Sequence, residues 1–198
     1  MASSSCTPFT FGDPDTVPLS AALPSRADLD RAFAPLILSA SGWRKIFAIG
    51  SDEESLSPEI GDANRVLAAH MANVFADYLI GSGVTKDVLL GRDTRPTGDS
   101  IADVMCRALL SRGIAVRYLG ACAAPEIMAY AREYGAFAYV SASHNPVAHK
   151  GVKFGLSDGG VLEGGETAKL IKSYRDAIAS PDAAEKACIL MESCPKAA

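Results

Sequence analysis

Between residues 138 and 155 the chain reads AYVSASHNPVAHKGVKFG. A hydroxyl (Ser143), an imidazole (His144) and the pair Asn145–Pro146 follow directly on an apolar run, with Lys150 and Lys153 soon after. The residue before a proline is driven out of helical backbone, so Ser143 should sit on a fixed, exposed bend. That places a nucleophile beside two kinds of proton carrier. A second cluster is GRDTRPTGDS, residues 91–100, with Arg92 and Arg95 flanking Asp93 and a helix starting near Thr97 and Gly98. Its spacing alone suits an ordinary turn, in which Asp93 stabilises the bend. Arginine forks beside free helix amides also suit a phosphate. A third is SGWRKIF, Ser41 to Phe47, where Trp43 reads as a packing anchor and Arg44 as the functional candidate. A metal site at His144 and His149 is disfavoured, because no acidic partner stands at a suitable spacing; His149 reads as an exposed loop residue.

These residues need a frame. Residues 27–34 read as a short helix, and residues 59–82 as a long one with apolar side chains at steps of three and four and glycines at its end. His70 lies in that stripe and reads as a partly buried helix residue. Strands are expected at 86–93, 114–120 and 137–142, with helices at 98–112, 124–135 and 165–179 between and after them. VKFG (152–155) extends as a strand or hairpin arm, and Asp158-Gly159-Gly160 is a hairpin turn. Alternating strands and amphipathic helices imply a three-layer α/β/α domain with a mixed, mostly parallel sheet. In such sheets ligands gather beyond the carboxyl ends of the strands, where all three clusters are expected. Residues 1–25, rich in Ser, Pro and Thr, read as an irregular lead-in, 26–182 as one domain, and 183–198 as a tail of low pattern.

Three segments in order, S-G-W-R, G-R-D-T-R-P-T and A-S-H-N-P followed by G-x-K, resemble the first domain of the α-D-phosphohexomutases, the phosphoglucomutase/phosphomannomutase family. The resemblance covers about residues 30–180, and A-S-H-N-P is its most specific element. It implies that Ser143 is a phosphoserine nucleophile exchanging its phosphoryl group with C1 and C6 of a hexose phosphate through a bound bisphosphate. It further implies that His144 positions the serine or a substrate hydroxyl. Lys153 and Arg44 become candidates for proton transfer or for stabilising the attacking oxygen. Arg95, with Ser41 and Asn145, would support the serine loop. Mg2+ is implied as cofactor, held partly through the Ser143 phosphate, and hexose 1,6-bisphosphate as activator. Three positions depart from the family's usual pattern: Lys45 stands for glycine, Lys150 for asparagine in the Asn-Gly pair, and Ser141 for threonine. No D-x-D-x-D-R magnesium loop is found, nor anything matching the family's second to fourth domains. The chain alone is therefore expected to be inactive, with those domains and the hexose phosphate as its partners. The alternative is a non-catalytic stand-alone module that binds a phosphate or a partner.

The totals narrow the field. Of 198 residues 48% are hydrophobic and 21% charged, which supports a packed core. The formal net charge is −4 and no Lys/Arg cluster occurs, so no nucleic-acid partner is expected. Apolar runs are too short to span a bilayer and no signal-like N-terminal segment is present, so no membrane association is expected. Five cysteines without a C-x-x-C pair read as reduced thiols of a cytoplasmic protein, with Cys106 a small core residue. A serine hydrolase is set aside, because neither a G-x-S-x-G elbow nor an acid–histidine pairing is present.

Overall fold

A computed structural model of the chain describes residues 19–194 apart from 21 and 51. The lead-in expected over 1–25 thus lies largely outside the described residues, as does Cys6. Within them the order is α1 (Arg26–Phe33), β1 (Ile37–Ser39), β2 (Gly42–Ile46), α2 (Gly61–Ser82), β3 (Asp87–Arg92), α3 (Gly98–Ser111), β4 (Ala115–Ala121), α4 (Ala124–Tyr134), β5 (Ala136–Val140), β6 (His149–Gly155), α5 (Gly164–Ala179) and α6 (Ala183–Glu192). Six strands form one sheet in the order β1-β2-β6-β5-β3-β4.

Each element has a local cause. Helix α1 begins with a capping box in which Ser25 and Asp28 satisfy one another's free amides. Helix α2 ends on Gly83 at φ 66°, whose N–H returns to the carbonyls of Leu79 and Ile80. Its His70 is buried, with Nε2 2.8 Å from the Ala183 carbonyl, so the packing role expected for this residue holds. Strand β5, AFAYV, is buried along its whole length and needs apolar residues on both faces. One face of the sheet carries the main core, where Trp43 packs on Phe154 and Tyr174 under α2 and α5. On the other face Ile127 and Ala131 of α4 cover Leu89, Phe137 and Tyr139. Layers of helix lie on both sides.

The expected balance of strand directions needs correction. The sheet is mixed, but only β3–β4 and β3–β5 are parallel, while β1–β2, β2–β6 and β5–β6 are antiparallel. The reason is connection length: residues 40–41 join β1 to β2 and residues 141–148 join β5 to β6, too few for a parallel crossover. The SGWR segment therefore has Ser41 in a tight turn and Gly42–Arg44 within the strand that follows, rather than lying beyond a strand's carboxyl end. The expected tail also differs. Residues 183–192 form α6, whose Ala183, Ala187 and Met191 enter the core beside α2 and α3. The small side chains of Ala183, Ala184 and Ala187 let that helix approach closely, a pattern that carries little hydrophobic contrast in sequence.

Candidate active site

Strand β5 stops at Val140, and the chain turns through Ser141–Pro146 before returning as β6. Ser143 is the only non-glycine residue with positive φ among the described residues, at φ 57°. Left-handed backbone costs a side chain about 1–2 kcal/mol, so something must hold it there. Arg95 does so from the neighbouring loop. Its guanidinium donates to the carbonyls of Ser143 (2.8 Å) and Asn145. The Ser143 N–H reaches Ser141 Oγ at 3.2 Å, and Asn145 Nδ2 donates to the Ala142 carbonyl at 2.6 Å. The bend is tied from both ends, with its hydroxyl turned outward.

Arg95 is itself positioned. Asp93 accepts from the Arg95 N–H at 3.1 Å and from its guanidinium at 2.7 Å, and the same carboxylate pairs with the Lys150 ammonium. Burial pushes the Asp93 carboxyl up, but the bond and charge of Lys150 carry it below the usual carboxylate range. The Lys150 side chain is 0% exposed against 19% for Asp93, so most of the desolvation falls on the lysine and draws its ammonium down. A buried lysine thus anchors the serine loop through Asp93 and Arg95. Close backbone approach permits this: a side chain at Gly98 would meet Arg92 Cδ at 2.8 Å and Lys150 Nζ at 3.2 Å.

Above the bend lies a recess of about 300 Å³ lined by Ser41, Arg44, Ser141, Ser143, His144, Asn145 and Lys153. Arg44 and Lys153 come from β2 and β6, whose register pairs Arg44 with Gly151, and Lys153, two residues beyond Gly151, points to the same face. Glycines make room for both. A Cβ at Gly42 would lie 3.3 Å from Lys153 Cγ, and one at Gly151 would lie 3.2 Å from Arg44 Cβ. Neither cation has a carboxylate partner among the described residues. His144 Nδ1 lies 3.4 Å from Ser143 Oγ, a long approach at best. The arrangement offers one strained hydroxyl, one imidazole and two uncommitted cations, a setting for a dianionic phosphate.

Six of the seven singled-out residues meet at this recess; Arg95 supports it from beneath. His149 stands apart as the first residue of β6, 3.4 Å from Glu53 Oε1. Lys150 and Asp93 carry more of the geometry than their spacing indicated. The available signal was strand alternation, which sends Lys150 into the core and Lys153 to the opposite face.

Residues 36–180 match the family described as phosphoglucomutase/phosphomannomutase, alpha/beta/alpha domain I. The chain belongs to that family. Among curated relatives of this phosphohexomutase domain, a phosphoglucosamine mutase of Lactococcus lactis is 37% identical over 133 residues, and one of Streptococcus pneumoniae is 34% identical over 133. Each match covers 62% of this chain, which spans 29–30% of the length of those relatives. The fold is shared with crystal structures of a phosphoglucomutase/phosphomannomutase family protein from Burkholderia thailandensis (TM-score 0.54, 21% identity) and a Thermus thermophilus protein (TM-score 0.58, 23% identity). Each covers 71% of this chain and 30% of the solved one. Helices α1 and α6 lie outside the matched segment.

The magnesium ion implied by the family does not fit this recess by itself. Such an ion takes about six oxygen ligands, carboxylates among them. The recess carries two cations and no carboxylate, and no group of three His, Cys, Asp or Glu suited to a metal occurs among the described residues. No helix there is long and apolar enough to cross a membrane.

Proposed function

We propose that Ser143 carries the phosphoryl group of a phosphohexomutase, this chain supplying the serine domain of the complete enzyme. The observation that supports it most is the conformation of Ser143: a lone left-handed serine, clamped by Arg95, facing Arg44 and Lys153, which no carboxylate among the described residues neutralises. Strain of this kind at a residue with a reactive group is retained where it serves presentation.

In the first half of the cycle a hydroxyl oxygen of a hexose monophosphate attacks the phosphorus of phosphoserine. The new O–P bond forms as the Oγ–P bond breaks; the hydroxyl gives up its proton and Oγ gains one. The bisphosphate then turns over within the site, and its other phosphate returns to Ser143 by the reverse exchange. Arg44 offers a fork of donors to the phosphoryl oxygens, and Lys153 a point charge beside the attacking oxygen, with proton transfer falling to Lys153 or Arg44. His144 steers the serine or the substrate hydroxyl, while Ser41 and Asn145 shape the recess. From this chain magnesium would gain only the oxygens of the Ser143 phosphate, and its carboxylate ligands must come from outside. The substrate class is a hexose phosphate of glucose, mannose or, given the names of its relatives, glucosamine, with hexose 1,6-bisphosphate as activator. Its partners are the remaining domains of the family, and the thiols of Cys106, Cys122, Cys188 and Cys194 suit a reducing compartment such as the cytoplasm. By itself the chain should show negligible mutase turnover, because most ligands for metal and sugar are missing.

The test is intact-mass analysis of the complete enzyme after exposure to hexose 1,6-bisphosphate, with turnover measured in parallel. Ser143→Ala should lose both the phosphoenzyme and, by several orders of magnitude, the turnover. Wild-type turnover in that variant would defeat the assignment.

A further inference from the structure

A second cavity, about 660 Å³, adjoins the serine recess through Arg44 and Asn145 and lies between α1, β2 and the start of α2. Its volume is in the range of small-molecule sites. Part of its wall, including Arg31 and Ala32, belongs to α1, outside the segment that matches the family domain. The cavity is thus walled in part by residues outside the family domain, and Lys45, its buried charge, is no part of the serine recess.

Its lining divides by chemistry. One part is apolar, from Ile46, Ile49, Ile60 and Ala63. The other presents Arg44 and Lys45 with the amides Asn64 and Asn145. Lys45 is 6% exposed, and its ammonium donates only to neutral oxygens, Ala32 O at 2.6 Å and Asn64 Oδ1 at 2.7 Å. No carboxylate pairs with Lys45 or with Arg44 among the described residues. The acid in the lining, Asp28, is committed to Arg31 at 2.7 Å and to the Ser25 N–H and hydroxyl at 3.0 and 2.6 Å. His149 at the rim leans on Glu53. A buried ammonium normally has a counter-ion, because its dehydration otherwise goes uncompensated. Among the described residues that counter-ion is missing, and an open cavity borders the charge.

We infer that this cavity binds a small anion with an apolar body, a phosphate monoester or carboxylate whose charge lies between Lys45 and Arg44 and whose body rests on Ile46, Ile49 and Ile60. Phosphate and carboxylate share the same recognition here.

The experiment is titration of the 198-residue chain with phenyl phosphate, followed by backbone amide shifts. Phenol serves as the body without the charge, and inorganic phosphate as the charge without the body. Saturable shifts should centre on residues 31–32, 45–49 and 63–64, with phenyl phosphate tighter than either control. Lys45→Met should weaken binding by about tenfold or more, the value of one charged hydrogen bond. Ala63→Phe, which fills the cavity and leaves Lys45 in place, should weaken it as well and stands in should Lys45→Met fail to fold. Shifts confined to residues 141–144 and 153, no saturable shift, phenol binding as tightly as phenyl phosphate, or wild-type affinity in either folded variant would overturn the proposal.

Discussion

Lys150→Met isolates the anchor of the serine loop. Methionine keeps the stem that fills the space beneath α3 and removes only the ammonium that pairs with Asp93. Breaking a buried ion pair by removing one partner costs about 3–5 kcal/mol, because the remaining charge stays desolvated. Asp93 keeps its bond to Arg95 and is 19% exposed, so the low end applies, about 3 kcal/mol. For a domain of this size that is a fall in Tm of about 6–12 °C. Urea unfolding at neutral pH gives the free energy directly. Adding Asp93→Asn to Lys150→Met should recover about 1–2 kcal/mol, since the stranded charge is gone, although Arg95 then loses its carboxylate. The same two variants should increase the motion of the Ser143 amide in relaxation measurements while that of Leu90, in the middle of β3, stays unchanged. A Lys150→Met effect below about 0.5 kcal/mol, or strict additivity in the double variant, would refute the coupling of Lys150 to Asp93.

Two further outcomes are expected. Burial pushes the Lys45 ammonium down to about 8 from 10.5, so between those values the unfolded chain binds more protons and stability rises with pH, by about 3 kcal/mol in all; Lys45→Met should remove that rise, and an unchanged pH profile of unfolding in the variant would contradict it. Ser143→Gly should raise stability by about 0.5–1 kcal/mol, the left-handed strain of about 1–2 kcal/mol less the larger entropy of glycine in the unfolded chain; Ser143→Ala should not, and equal stability of the two variants in urea would argue against strain at φ 57°.

Much of the fold could be read directly. The helix expected over 59–82 is α2, and strands expected at 86–93 and 114–120 are β3 and β4, because apolar periodicity and glycine stops report local structure. Helix α6 escaped notice, since Ala183, Ala184 and Ala187 are buried by close packing against α2 rather than by a strong apolar stripe. Strand direction escaped it too, because apolar content shows that β5 is buried, while only pairing shows that β6 runs against it.

At the site the division is similar. Residue type and order alone determined that Ser143 follows a buried strand, that Asn145–Pro146 bends the chain after it, and that Arg44, Arg95 and Lys153 are the cations to watch. These are consequences of local backbone preference and of side-chain chemistry, which travel with the sequence. Tertiary structure alone decided that Arg44 and Lys153 share a face across two antiparallel strands, that Lys150 turns inward to hold Asp93 and Arg95, and that Lys45 is buried with no counter-ion among the described residues. Burial and charge pairing depend on which segments meet across the sheet, and those meetings join positions dozens of residues apart whose spacing along the chain carries no record of them.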